Sequence, residues 1–482
     1  MFLMYKNQGD RSLKQDILEL LDDQDGYLSM QEIVNRLEYP TLNAVKTTCK
    51  MLQEEITQLY DPTQMELIIS VRGGVKLRRD GVYFQALSEN EFGNSVTFNM
   101  IVFLLLERIV VTSELADKLY VSQSTLLRKL KRHKLLTDNW DIKITCSDTI
   151  SLSGDEGLIR FLHFLLLIMS YKSINQFPEA TSSRHKAQKI MDYLQVNVHE
   201  NQLLQCVALV FAIDNGLEKK RKLSPTDQTS AYFKYYEYPA KPDFLSWSNE
   251  DWQFFLLVLY FTDFDFGRTL IQRKDDCQLF AAERKVFLTT FEKRFRLLSS
   301  KEADLLLDHL SRQLQYHAIM PMNKLVFSSF KNQGKKKIAE IYPAFIQRFE
   351  DFYLELEQNC ETFKKAPYLK ANTLLNCIQL IPLNAFSPCV KIYVYSSLSS
   401  LLVGNLQKEI QTELIYYQSE FVTDFRQADL ILSTAPFLEP LKKNQYLLQI
   451  SASISKNDRK SIHSRIQTIM QEKQSASLPK KL

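Results

Sequence analysis

Glycine and proline are scarce in this chain, at 12 and 14 of 482 residues. Residues that free or lock the backbone are therefore few, which favours long helices over loops. Cysteine is sparse as well. Cys49, Cys146, Cys206, Cys277, Cys360, Cys377 and Cys389 are scattered and form no CxxC pair. Neither a zinc site nor a disulfide framework is indicated, and a reducing cytoplasm fits best. Long apolar runs are missing. Arg160 and His163 interrupt Leu158–Met169, and Phe254–Phe261 falls far short of the ~20 residues of a membrane span. The opening MFLMYKNQGDRS turns polar too soon for a signal peptide. The expectation is a cytoplasmic protein with no membrane partner, whose two most apolar stretches are buried helices. No sign of charge dominates: the net charge is +4, and residues 1–150 hold 18 Lys and Arg against 21 Asp and Glu. A nucleic-acid signal must then come from local clusters. No glycine-rich phosphate loop is present, and the seven histidines are scattered without local partners. No catalytic residue, metal site or cofactor is expected.

What is present begins with composition. A hydrophobic fraction of 45% with 24% charged residues describes a protein with sizeable cores, and its length predicts several domains, about three. The chain is organised around Val121–Lys134, VSQSTLLRKLKRHK. Ser122 is a good helix N-cap. Leu126, Leu127 and Leu130 recur at helical spacing. Arg128, Lys129, Lys131, Arg132 and Lys134 place five cations in seven residues. Upstream, TSELADKLY (Thr112–Tyr120) reads as a short helix with Leu115, Ala116 and Leu119 on one face, joined by a tight turn at Tyr120–Val121. This is helix-turn-helix grammar, in which the second helix lies in a DNA major groove. Asp141–Thr145 and Thr149–Leu152 could form a wing. Gln123, Ser124 and Arg128 are best placed for base edges, with Lys129, Lys131 and Arg132 for phosphates. The plainer alternative is a solvated basic helix face.

Residues 10–85 read as an earlier copy of the same unit. Leu13–Leu21 is a helix, Ser29 with Glu32 is a capping box, and Thr41–Leu59 is a second helix with Asn43, Lys46, Thr47 and Lys50 on a polar side. A shift of 82 residues places Leu37 on Leu119 and Lys46 on Arg128. Met65–Val71 and Val75–Arg79 flank Gly73-Gly74, a hairpin signal. The hairpin carries Arg72, Lys76, Arg78 and Arg79. This copy either binds DNA through a basic wing or only packs and dimerises.

Helical spacing then recurs in Glu156–Tyr171, Arg184–Asn197, Asn201–Asn215, Asp251–Phe261, Glu283–Leu298, Lys301–Tyr316, Lys336–Gln358 and Ala371–Ile381. A break near Gln278–Phe280 would divide them into two bundles. After Pro382–Pro388 the grammar changes. Val390–Tyr395, Ala428–Ser433 and Gln445–Ile450 read as strands, Leu401–Leu414 as a helix, and Ser455 as the cap of a last helix with Asp458 in the box position. Alternating strands and helices imply a small parallel α/β sheet.

The expected fold is multidomain and mainly α. Its parts are winged helix-turn-helix units at 1–88 and 89–155, all-helical domains at 156–280 and 281–386, and an α/β domain at 387–482. This order, with SELADKLYVSQSTLLRKL and SLSGDEGLIRFLHFLL, resembles the Mga/AtxA family of bacterial virulence and metabolic regulators. The resemblance implies a global DNA-binding transcriptional regulator, an activator in kind, acting on promoter DNA as a homodimer or higher oligomer. It also implies that the helical domains are PTS regulation domains, partnered by phosphotransferase-system proteins and phosphorylated on histidine, and that the tail is EIIB-like. LLLDHLSRQL makes His309 the first candidate phosphorylation site, with His199 and His185 behind it. The arginine usual two turns on is missing, and Tyr316 and His317 stand there. In LQCVALVFAIDNG the family's histidine falls on Ala208. A thiol-type EIIB carrier keeps a cysteine just after its first strand; here Ser396 and Ser397 occupy that turn and Cys389 precedes the strand. Two other readings stand beside this one: a phosphocarrier of the sugar phosphotransferase system, and a helical scaffold whose winged units bind protein.

Overall fold

A computed structural model describes residues 13–70, 72–84, 86–87, 96–137, 142–171, 181–227, 229–262, 267, 270–274, 278–319, 338–339, 341–366 and 369–477. These fall into two compact units, 13–280 with 311–319, and 281–310 with 338–477.

The first unit opens with helices α1 (Leu13–Asp22), α2 (Met30–Leu37) and α3 (Leu42–Leu59) and strands β1 (Met65–Ser70) and β2 (Gly74–Arg79). The expected capping box starts α2: the Glu32 N–H donates to Ser29 Oγ at 3.2 Å and the Ser29 N–H to Glu32 Oε2 at 2.8 Å. These bonds hold the Glu32 carboxyl below the usual carboxylate range. β1 and β2 pair antiparallel, with Leu67 opposite Leu77. Gly74 has φ +93°, and a β-carbon there would lie 2.2 Å from the Leu28 carbonyl. That close approach lets Leu28 and Val75 exchange backbone hydrogen bonds of 2.9 and 2.8 Å, fastening the hairpin to the entry of α2.

A second winged unit follows: α4 (Val96–Glu107), β3 (Ile109–Val111), α5 (Thr112–Lys118), α6 (Gln123–Thr137), β4 (Ile142–Cys146) and β5 (Thr149–Gly154). Its sheet has the order β3-β5-β4, all antiparallel. The two wing strands stand where the β-prone runs predict them; β3 and α4 have no counterpart among the expected elements. Met100, Leu104, Leu115, Leu126, Leu130 and Ile150 form its core.

A helical module completes this unit, with α7 (Glu156–Ser170), α8 (Thr181–Tyr193), α9 (Glu200–Glu218) and α10 (Asn249–Phe261), and the two-residue strands β6 (Tyr236–Glu237) and β7 (Gln272–Arg273). α10 is buried from Phe254 to Phe261 without a polar face, as its composition predicts for a core helix. A chain of buried charges runs into it. The Arg108 Nη2 and Arg160 Nε both donate to Glu156 Oε1 at 3.0 Å. Arg160 continues to Asp251 Oδ1 at 2.6 Å and to the Arg221 carbonyl at 2.9 Å. Asp251 also accepts from the Ser248 N–H and hydroxyl at 3.0 and 2.9 Å, capping α10. A β-carbon at Gly216 would sit 2.6 Å from Glu156 Oε1, so only glycine admits the ion chain beside α9. His163 is buried against Phe211, ring centroids 5.6 Å apart, and burial next to Arg108 pushes its pKa down to about 3.

The second unit holds α11 (Ala281–Arg294), the first turns of α12 (Ser300–Ile319), α13 (Pro343–Asn359), α14 (Glu361–Lys365) and α15 (Leu369–Leu380). Phe287, Phe291, Phe295 and Phe352 interlock with ring centroids 5.0–6.4 Å apart. The single helix expected over Lys336–Gln358 is corrected. It is interrupted at Tyr342, which sits at φ −126°, ψ 58° because the following proline disfavours the α region there. Residues 338, 339 and 341 are helical before the break and Pro343–Asn359 after it, while 336, 337 and 340 lie outside the described residues. Strands β8 (Val390–Tyr395), β9 (Ser419–Phe421), β10 (Leu430–Ser433) and β11 (Tyr446–Gln449) form a parallel sheet in the order β11-β10-β8-β9, with α16 (Ser400–Glu413) and α17 (Lys456–Ser477). α17 starts at the expected Ser455–Asp458 box, the Asp458 N–H donating to Ser455 Oγ at 3.1 Å.

Removing one member of the ion chain leaves its partners buried without compensation. Arg160→Ala should cost about 3–5 kcal/mol, read from denaturant unfolding by tryptophan fluorescence, since Trp247 and Trp252 both lie in this module. His163 supplies a pH signature. Between its folded pKa of about 3 and the unfolded value near 6.5, the unfolded chain binds the extra proton. Its contribution is whole above about pH 6.5 and is lost as pH falls toward 3. His163→Leu should flatten stability against pH in that window by up to about 1.4 kcal/mol per pH unit.

Candidate nucleic-acid interface

The turn between α5 and α6 is closed by three backbone hydrogen bonds. The Leu119, Tyr120 and Val121 N–H groups donate to Leu115, Asp117 and Ala116 carbonyls at 3.1, 3.1 and 3.0 Å. Tyr120 takes φ +53° to make the reversal. Ser122 then caps α6, accepting from the Thr125 N–H at 3.2 Å as its sequence position predicts. Leu126 and Leu130 are wholly inside, which fixes the helix rotation. One face is locked into the core, and Gln123, Ser124, Arg128 and Lys131 are exposed on the other. Ser124, Arg128 and Lys131 follow one another at i, i+4 and i+7, a single stripe along the helix. Among the described residues Arg128, Lys129 and Lys131 form no ion pair. Lys129 is half-buried. The side chains of Arg132 and Lys134 lie outside the described residues.

The wing is short. The Thr112 N–H donates to the Asp148 carbonyl at 2.9 Å and its hydroxyl to the Ser147 carbonyl at 2.8 Å, pinning the β4–β5 turn to the start of α5. Lys143 stands exposed on β4. It is absent from the residues expected to meet DNA, although alternation with buried Ile142 is the signal that finds it.

The first winged unit repeats this geometry with a changed register. Glu38 takes φ +64° at the turn, 82 residues before Tyr120. The caps, however, are Thr41 and Ser122, each accepting a 3.2 Å bond from the third residue on. The buried pairs Val45/Cys49 and Leu126/Leu130 are likewise 81 apart. The offset shortens by one residue at the Pro40 turn. Lys46 therefore matches Leu127, correcting the uniform 82-residue alignment, and the outer stripe Asn43, Thr47 and Lys50 matches Ser124, Arg128 and Lys131. Asn43, Lys46 and Lys50 are all exposed.

The hairpin cations divide. Arg79 forks onto Asp22, with Nε–Oδ1 2.8 Å and Nη2–Oδ2 2.9 Å, and also donates to the Val82 carbonyl at 2.9 Å. Arg78 pairs with Glu66 at 2.8 Å and reaches the Pro62 carbonyl at 3.0 Å. Lys76 is half-buried, 6.0 Å from the Tyr27 ring centroid, and Arg72 is exposed near the turn. Arg79 thus ties the wing to α1. The other candidates separate as clearly: His309 is buried at 6% exposure, whereas His185 and His199 are exposed. The described residues hold no group of three or more His, Cys, Asp or Glu able to bind a metal ion, and no described helix is long and apolar enough to cross a membrane.

In the second winged unit, a short helix, a tight turn and an outward basic helix follow one another in helix-turn-helix order. Residues 81–167 match the family model described as the Mga helix-turn-helix domain. This span, which takes in the second winged unit and runs into α7, is therefore similar to a helix-turn-helix domain of the Mga type. No curated protein matches the chain. Among solved structures, ScpB from Mycobacterium tuberculosis is similar at 13% identity over 31% of this chain and 94% of that one, with a TM-score of 0.13, too low to carry any inference.

Arg79→Ala should loosen the first unit. A bidentate exposed pair contributes up to about 1 kcal/mol, and its removal should appear as faster amide exchange in β2. Lys50→Ala should leave exchange unchanged.

Proposed function

We propose that this protein is a DNA-binding transcriptional regulator that reads promoter DNA through α6 of its second winged unit. The observation that carries the reading is the exposed Ser124–Arg128–Lys131 stripe, opposite a buried leucine face. Its cations are free of internal ion pairs among the described residues and so are available to phosphates. Ser124 and Gln123, nearest the start of the helix, are suited to base edges, and Lys46, Lys50 and Arg72 of the first unit make auxiliary contacts. The activity is that of a regulator rather than an enzyme, exercised in the cytoplasm.

The remaining features of the Mga/AtxA resemblance belong to the same proposal: activation of transcription, PTS regulation-like helical domains at 156–280 and 281–386, an EIIB-like tail, and homodimers or higher oligomers. Phosphotransferase-system proteins would then phosphorylate a histidine. His185 and His199 are exposed for that chemistry, whereas His309 would have to be uncovered first. The phosphocarrier reading is disfavoured by the turn after β8. There Ser396 bonds the Thr434 hydroxyl at 2.6 Å, and ahead of the strand the exposed Cys389 has its thiol held above its ordinary range by desolvation and by Glu420. A thiolate nucleophile needs the opposite shift.

DNA titration of the full chain at several salt concentrations tests the proposal. Arg128→Ala with Lys131→Ala should weaken binding and lower the slope of log K against log salt by about 1 for each phosphate no longer neutralised. Unchanged affinity and slope in the folded double variant would remove α6 from the interface. The oligomer is tested by ending the chain after Pro388. This keeps Phe386 against Arg348, 4.5 Å from guanidinium carbon to ring centroid, and Phe345. Sedimentation should then show a smaller dimer fraction with the winged units still folded.

A further inference from the structure

The turn before α6 has a feature that the cation stripe does not use. Tyr120 is 96% exposed, with φ +53°, two residues before Ser122, the cap of α6. A left-handed backbone favours glycine, and a residue with a β-carbon is strained there. Six described non-glycine residues adopt positive φ: Glu38, Arg108, Tyr120, Gln195, Lys220 and Phe280. Arg108 is buried in the ion chain and Phe280 is partly buried. Tyr120 is the exposed aromatic of the set. No hydrogen bond of its side chain to another described residue accompanies the three backbone bonds of the turn.

The first unit supplies an internal comparison. Its turn has the same left-handed residue, Glu38, 82 positions earlier. A carboxylate at that place repels a phosphate, whereas a phenol hydroxyl can donate to one. The neighbouring Tyr39 is also engaged, its hydroxyl donating to Asp16 Oδ2 at 2.6 Å. The two turns therefore share a backbone and differ in what they offer to an anion.

We infer that Tyr120 is a DNA-positioning residue, whose hydroxyl donates to a phosphate oxygen beside the base pairs faced by α6. The inference rests on the proposed DNA-binding function and deepens it. A neutral donor contributes affinity without displacing counterions, so its signature differs from that of Arg128 and Lys131.

The test uses the full chain, a promoter-length duplex and titrations at several salt concentrations. Tyr120→Phe keeps ring and backbone and removes the donor. It should weaken binding about tenfold, the scale of a hydrogen bond to a charged group, with the salt slope unchanged. Tyr120→Gly should weaken binding at least as much while leaving the unfolding midpoint unchanged or raised, since glycine relaxes the turn. Tyr120→Glu, which copies the first unit, should weaken it most. Wild-type affinity in the Phe variant overturns the assignment, even if the Gly variant binds poorly, because the hydroxyl would then be idle. Weakened self-association with unchanged DNA affinity also overturns it, making Tyr120 a protein contact. If Arg128→Ala with Lys131→Ala abolishes binding while all three Tyr120 variants keep it, the Tyr120 inference falls and the DNA reading stands. If the wild type shows no salt-sensitive binding, both fall.

Discussion

The buried chain Arg108–Glu156–Arg160–Asp251 is the constraint on which the arrangement of the DNA-binding unit depends. Each ion has given up its water, and the cost of several kcal/mol per charge is offset only while the geometry is kept. The four residues come from three places: Arg108 from the turn after α4, Glu156 and Arg160 from the first turns of α7, and Asp251 from the first turn of α10. A shift of any one element strands a charge. The Asn215 side chain donates to the Leu106 carbonyl at 3.1 Å and Lys219 pairs with Glu107 at 2.6 Å, so α9 grips the same end of α4. The winged unit is thus seated on the helical module by polar contacts of fixed direction, not only by apolar packing that tolerates sliding. The match to the Mga helix-turn-helix domain runs to residue 167, well into α7, and so includes Arg108, Glu156 and Arg160.

This seating bears on how a signal could reach the DNA. α6 has no freedom to rotate within its own unit, because Leu126 and Leu130 are locked opposite its exposed stripe. On the proposed reading as a DNA-binding oligomer, a change of affinity would move the winged unit as a body, alter the spacing between copies, or break the ion chain. Breaking the chain is the costliest of the three. If the protein acts as the proposed oligomer, an input at the helical modules is therefore more economically expressed through spacing or oligomer population, where avidity multiplies a small free-energy change.

Much of this was legible in sequence because it is local. The caps at Ser29, Ser122 and Ser455, buried Leu126 and Leu130 of α6 and the apolar α10 formed where the sequence placed them, whereas Leu127, expected on the same buried face, is half-buried. Features set by distant partners were not legible. α4, VTFNMIVFLLLE, is apolar nearly all round and offers no period to read. β3 and β9 are three residues each and exist only because a longer strand lies alongside. Arg79 and Asp22 are 57 residues apart, Arg160 and Asp251 91 apart. The candidate site was legible in outline for the same reason. Which residues point outward on α6 follows from a local period, but which cations are free depends on the whole fold.

That last distinction separates the two winged units better than their composition does. By count, the first hairpin looks the stronger electrostatic feature, with Arg72, Lys76, Arg78 and Arg79 close together. Yet Arg79 and Arg78 are spent on Asp22 and Glu66, and the outer stripe of α3 retains Lys50 where α6 shows both Arg128 and Lys131. A cation already neutralised within the fold displaces fewer counterions when a phosphate approaches, since it must first give up its carboxylate. The turns reinforce the difference, because Glu38 stands where Tyr120 does. The repeat has kept one backbone and divided its chemistry: the first copy pairs Arg78 and Arg79 with its own carboxylates, and the second leaves Arg128 and Lys131 without an ion pair among the described residues.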